Sequence, residues 1–256
     1  MGDIKVGVQL YTLRDLIRTY EDTNATFQFL KDLGCDVVQI SGIGPLTPEE
    51  KAELVDKYGF DVCVTHTGFD RMRTDVDAVI DEHKMIHCDC LGVGSMPGEF
   101  RNDLDGVRKF VEEANRVGAR MKERGCRFAY HNHAFEYEKI DGDRTIMDIL
   151  LEETDPETFF FVPDIAWMHI AGMDPVECLT RMKGRVKVAH FKDYKITDDE
   201  RSFTELGNGL MDLEGIWQAC VDLGIPYVVY EQDSGFDDPK VSTEISFNYL
   251  KKLAGK

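Results

Sequence analysis

The 256-residue chain contains no run of 18 apolar residues, so no segment reads as a membrane span. Its opening residues, Met1-Gly2-Asp3-Ile4-Lys5, lack the basic head and apolar stretch of a secretion signal, and the expectation is a cytoplasmic protein. Basic residues are scarce: 30 Lys and Arg stand against 48 Asp and Glu, a net charge of −18. That balance argues against a phosphate-gripping face, hence against nucleic acid as partner, and against an anionic membrane surface. No CxxC pair occurs among the seven scattered cysteines. A zinc ribbon is therefore not expected, and the thiols read as reduced, several of them in the core. Neither GxGxxG nor GxxxxGK[ST] is present, so the two familiar nucleotide-binding turns are missing. No Pro/Gly/Ser-rich linker divides the chain, which reads as one domain over 1–256.

What is present is a repeat. Eight short apolar runs lie at 4–10, 36–40, 60–65, 90–94, 126–131, 159–163, 186–190 and 227–231. Most are apolar throughout, as expected of parallel strands covered on both faces. Helical patterns separate them. Residues 102–123 place Leu104, Val107, Val111, Ala114, Val117 and Met121 on one stripe. Thr47-Pro48 is a helix start signal. Gly34, Gly59, Gly125 and Gly224 fall where left-handed helix ends are needed. Val241, Ile245, Tyr249 and Leu253 supply the stripe of an eighth helix. Eight strands alternating with eight helices predict a (β/α)8 TIM barrel, with function at the C-terminal strand ends. A doubly wound open sheet is the competing architecture, and the missing Gly-rich turn disfavours it.

The strand ends carry the polar residues. They are Gln9 and Tyr11, Gln39 and Ser41, His66, Ser95, His131-Asn132-His133 with Glu136, Asp164 with Trp167, His190 with Lys192-Asp193, and Glu231-Gln232-Asp233. Four of the seven histidines lie here; His83, His87 and His169 do not. Imidazoles and carboxylates crowded on one rim would repel and lose hydration unless a cation joined them. Mixed nitrogen and oxygen donors suit Mn, Zn, Fe or Co better than Ca.

The ordered set Thr65-His66-Thr67-Gly68-Phe69, Tyr130-His131-Asn132-His133-Ala134-Phe135-Glu136-Tyr137, Asp164-Ile165-Ala166-Trp167, His190-Phe191-Lys192-Asp193, Gly207-Asn208-Gly209 and Tyr230-Glu231-Gln232-Asp233 resembles the xylose isomerase-like TIM barrels known as sugar phosphate isomerases/epimerases. The resemblance spans nearly the whole chain. It implies one divalent metal, most often manganese (Zn, Mg, Co or Fe being alternatives), held from strands 5 to 8. Asp164, His190 and Glu231 fall on the matching positions. Many relatives carry Glu-x-His at the end of strand 5, where this chain has His131-Asn132-His133. Either His131 ligates the metal or Glu136 reaches back to it. Barrels of this kind often pair, so a homo-oligomer is one expected assembly.

A metal beside general bases, with no organic cofactor motif, suits chemistry next to a carbonyl through an enediolate. The resulting expectation is a metal-dependent isomerase or epimerase acting on a small sugar or keto-sugar. Elimination by a lyase or dehydratase on a keto-sugar, keto-glycoside or keto-inositol is the alternative, followed by a non-catalytic sugar-binding barrel. Endonuclease IV-type DNA repair enzymes share the barrel but need a basic face. Glu231 is assigned as ligand and base, and His133 or Glu136 as the second acid/base. His66, Lys192, Trp167 and Tyr11 are the candidates for holding substrate. Trp167 could equally be core, and Lys192 could instead pair with Asp193. Gly207-Asn208-Gly209 could offer N–H groups to an anion, or be a plain turn before the helix starting at Asp212-Leu213.

Overall fold

The computed structural model describes residues 4–255. Among them, eight parallel strands form one sheet: β1 Lys5–Gln9, β2 Val37–Ile40, β3 Asp61–His66, β4 Cys90–Val93, β5 Arg127–His131, β6 Phe159–Val162, β7 Val188–Phe191 and β8 Tyr227–Tyr230. Each lies within two residues of its expected run. Neighbours pair in order from β6 back through β5, β4, β3, β2 and β1 to β8 and β7. Bridges Phe161↔Val186 and Asp164↔His190 join β6 to β7 and close the TIM barrel. The second bridge sets a carboxylate beside an imidazole at the rim.

Helices lie between the strands. The long one runs Leu104–Glu123, capped by Asp103, and buries Val107, Val111, Ala114, Val117 and Met121 as its stripe required. Helix Pro48–Tyr58 starts in a capping box of Thr47 and Glu50 and ends at the left-handed Gly59. Two connections hold two short helices instead of one. Phe69–Thr74 breaks from Val76–Met85 at Asp75, and Ile165–Ile170 from Pro175–Arg181 across Gly172.

The final helix, Pro239–Leu253, has a different inner face from the one its aliphatic residues suggest. Val241 is 52% and Ile245 44% exposed, while Ser242, Thr243, Ser246, Phe247 and Leu250 are buried. Small hydroxyl residues let this helix approach closely, and their polar atoms are satisfied. Ser242 donates to Glu205 at 2.6 Å, Thr243 donates to Pro239 O, and Ser246 accepts from Leu206 N–H.

The barrel interior is layered. Val37, Val64, Ala129, Val162, Val188 and Val229 form a dry cluster with Cys63 and Cys90. In a strand, alternate residues share a face. Two residues further along each strand, the same inward direction presents Gln39, His66, His131, Asp164, His190 and Glu231. All seven cysteines are free and buried. No helix among the described residues is long and apolar enough to cross a membrane.

Candidate metal centre and active site

Four buried side chains converge at the rim: His131, Asp164, His190 and Glu231, each offering one donor atom within 4.8 Å of the others. Backbone and amide partners aim them. His131 Nδ1 donates to Gly94 O at 3.1 Å, which leaves its Nε2 as a bare lone pair, buried and without a hydrogen-bond partner. Asp164 caps the helix Ile165–Ile170. Its Oδ1 accepts from Ala166 and Trp167 N–H, leaving Oδ2 buried and turned toward the group, where charged neighbours alone reach it. His190 Nε2 donates to Gln39 Oε1 at 2.7 Å, which turns its Nδ1 toward Glu231 Oε2 at 2.8 Å. An imidazole lone pair facing a carboxylate oxygen at that distance needs a proton or a cation between them. The donor chemistry, the unpartnered His131 Nε2 and the facing His190 and Glu231 atoms therefore fit a divalent ion with mixed nitrogen and oxygen ligands.

Lys192 lies against this group, not on the surface beside Asp193. Its fully buried ammonium is 2.9 Å from Asp164 Oδ2, 3.1 Å from Glu231 Oε2 and 2.8 Å from Asp233 Oδ2. Burial alone would raise the Asp164 and Glu231 carboxyls, but the neighbouring cations, Lys192 foremost, outweigh it and hold both below the usual range. Burial pulls His131 down, and the adjoining carboxylates more than reverse it. Asp193 has a separate structural duty. Its carboxylate accepts from the N–H groups of Tyr194, Gly207, Gly209 and Met211. The N–H groups of Gly207 and Gly209 are thus already spent on an internal anion, and of the two readings of this segment the plain turn is the one that stands.

Glu136 is fully buried and lies outside the convergent group. Its oxygens accept from Tyr130 OH at 2.6 Å and His133 N–H at 2.7 Å, and burial pushes its carboxyl up to about 7 against those bonds. It fixes the turn that carries His133. That imidazole is pushed down to about 3, mainly by burial and then by His131, so it is neutral, and its Nδ1 has no partner.

A cavity of about 380 Å³ opens over the group, lined among others by Tyr11, His66, His131, His133, Glu231 and Asp233. His66 is held by Gln39 Nε2 at 2.9 Å, so Gln39 links two rim histidines. Trp167 and Lys192 stand behind this lining. The indole is 5.5 Å from the His133 ring and 5.4 Å from Phe203, and the Lys192 ammonium lies over both Trp167 and Phe203. Phe203 was not anticipated. It comes from the hairpin Asp193–Thr197/Glu200–Thr204, whose turn residues Asp198 and Asp199 both have positive φ. Two adjacent Asp between strand-like segments was the available signal. Gln39 was visible at its strand end, but nothing local showed that it would bridge two histidines.

A sequence profile of the xylose isomerase-like TIM barrel matches residues 27–253. The chain belongs to this family. It is 28% identical over 153 residues to inosose dehydratase of Lacticaseibacillus casei, a match covering 53% of this chain and 50% of that protein. The chain thus spans about half the length of the curated relative it matches. Among solved structures, a sugar phosphate isomerase/epimerase from Parabacteroides distasonis ATCC 8503 superposes with a TM-score of 0.82 at 22% identity, covering 98% of this chain and 94% of the other. An L-ribulose 3-epimerase superposes with a TM-score of 0.74 at 13% identity, covering 100% and 95%. At such identities these two likenesses concern the fold.

Proposed function

We propose that the protein holds one divalent cation, manganese in the first instance, at His131, Asp164, His190 and Glu231. There it transfers a proton at the carbon next to the carbonyl of a sugar or keto-sugar, as an isomerase or epimerase. The observation that carries this reading is the convergence of four buried nitrogen and oxygen donors within 4.8 Å of one another beside an open cavity, His131 Nε2 among them having no hydrogen-bond partner. A divalent ion there would supply Lewis-acid polarisation of the carbonyl and charge for an enediolate. The chain's own residues do the rest. Glu231 and His133 both face the cavity and carry acceptors, so each can take or return a carbon-bound proton. Glu136 holds the His133 backbone in place. Lys192 keeps Asp164 and Glu231 ionised, and Trp167 and Phe203 shield its ammonium on the side away from the cavity, which strengthens the charge interactions there. Tyr11 and His66 stand where substrate hydroxyls would be received.

Elimination is the second reading, on two grounds. His133 is a neutral imidazole in the cavity lining, able to take up the carbon-bound proton and then hand it to the departing hydroxyl, and the sequence likeness to inosose dehydratase includes half of this chain. Both readings share the deprotonation, and one experiment separates them. Metal-loaded protein incubated with candidate keto-sugars in deuterated water should place deuterium on the substrate carbon, and Glu231→Gln should not. Epimerisation accumulates a stereoisomer of equal mass, and elimination an unsaturated product absorbing in the ultraviolet. Turnover with neither exchange nor proton release to solvent would mean a direct hydride shift and would remove Glu231 as base.

A further inference from the structure

A second cavity, of about 290 Å³, adjoins the first. Ser41 and the His66 ring line both and form their common wall. Its charged lining consists of Lys51, Arg71 and Glu82. Arg71 and Glu82 satisfy each other through two hydrogen bonds, one of 2.8 Å. His83, also in the wall, is occupied by Thr65 OH and Val79 O and is kept neutral chiefly by burial. Lys51 differs from all of these. Among the described residues its ammonium has neither hydrogen bond nor ion pair, although it is only partly exposed. Glu82 and Arg71 are the charged groups that act on it, in opposite senses, and burial outweighs both.

The local helix gives no reason for a lysine at this position. Lys51 follows Pro48, Glu49 and Glu50 in the first turn, where the helix dipole favours acids and disfavours cations. The chain also carries 18 more acids than bases, so partners were abundant. An ammonium left half-buried and unpaired at a cavity is a stored attraction for an anion.

We infer that this cavity is an anion subsite. Lys51 receives a carboxylate or phosphate at one end of a substrate whose reacting carbon lies on the Glu231 side of His66. Thr67, whose hydroxyl makes only a 3.5 Å contact with His83, supplies a donor to the same anion. With Arg71 offset by Glu82, the subsite carries one net positive charge, and it would sort charged sugars from neutral ones. The substrate half of this inference rests on the proton-transfer reading above; the anion half does not.

The test is calorimetric titration of the full chain with inorganic phosphate and, separately, acetate. Wild type should bind at least one of them, and Lys51→Gln should weaken that binding about tenfold or more, as loss of a charge-assisted bond requires. Lys57→Gln, on the same helix but bonded to Asn24, should leave it unchanged. The anion with the stronger Lys51-dependent response identifies the source. No binding by wild type overturns the subsite. So does equal affinity in Lys51→Gln, which is what phosphate held by a bound metal would give. For a keto-sugar bearing that anion, Lys51→Gln should raise KM about tenfold with kcat held, while a neutral keto-sugar should be indifferent. Lys51-dependent anion binding with no sugar turned over would leave the subsite standing and remove the proton-transfer reading. Turnover of an anionic sugar insensitive to Lys51 would do the reverse.

Discussion

Two layers of the same barrel interior, separated by two residues on each strand, obey opposite rules. The lower layer, Val37, Val64, Ala129, Val162, Val188 and Val229, is apolar and dry. The upper layer, Gln39, His66, His131, Asp164, His190 and Glu231, is also buried, His66 only partly, yet polar or charged. Burial in the lower layer stabilises the fold by removing apolar surface from water. Burial in the upper layer costs hydration and leaves donor atoms unpaired. The contrast shows where the barrel concentrates stability and where it gives stability up for a site.

The comparison breaks most sharply at the proposed ligands. Asp164→Ala and Glu231→Ala should each lose most bound metal by elemental analysis, and turnover should fall about a thousandfold. The two strand-5 candidates should separate. His131→Ala should lose metal, whereas Glu136→Gln should keep it and act only through the position of His133, lowering kcat about tenfold. Full metal in the His131 variant would return Glu136 to the ligand set.

Stability should respond in the other direction. The folded protein keeps the Glu136 proton up to about pH 7, while the ordinary value is 4.5. At this group the folded state therefore binds more protons between those values, and its contribution to stability falls as pH rises through them, by about 3 kcal/mol. His133, held at about 3, contributes with the opposite sign over much of this window, so the check is the difference in urea stability between wild type and Glu136→Gln, which should shift against wild type by about 3 kcal/mol from pH 4.5 to pH 7. In the apolar layer, Val229→Ala should cost about 2 kcal/mol in the same assay while metal content stays unchanged. Outside both layers, Thr47→Ala removes the capping box and should cost about 1 kcal/mol with no effect on metal or turnover.

Much of this was legible in advance because it depends on short-range rules. The strands announced themselves as apolar runs, the long helix by its Val107-to-Met121 stripe, and the helix ends by Gly59 and Gly224, whose φ of 63° and 69° suit glycine. The rim residues could be assembled because barrel strands are parallel and in order. The final helix misled because its inner face is built from Ser242, Thr243 and Ser246, residues whose burial depends on partners elsewhere, such as Glu205 and Leu206.

The sequence by itself determined the barrel, the order of its strands and the identity of the side chains at their ends, since periodicity and turn chemistry act over a few residues. Tertiary structure alone decided their duties. It placed Glu136 under His133 through Tyr130, turned Asp193 inward onto Gly207 and Gly209, and brought Lys192 against Asp164 and Glu231. The last is a competition among charges from segments far apart in the chain, and the first two are decided by turns that bring nearby groups into contact. Charge interactions depend on distance and burial, which no local pattern encodes.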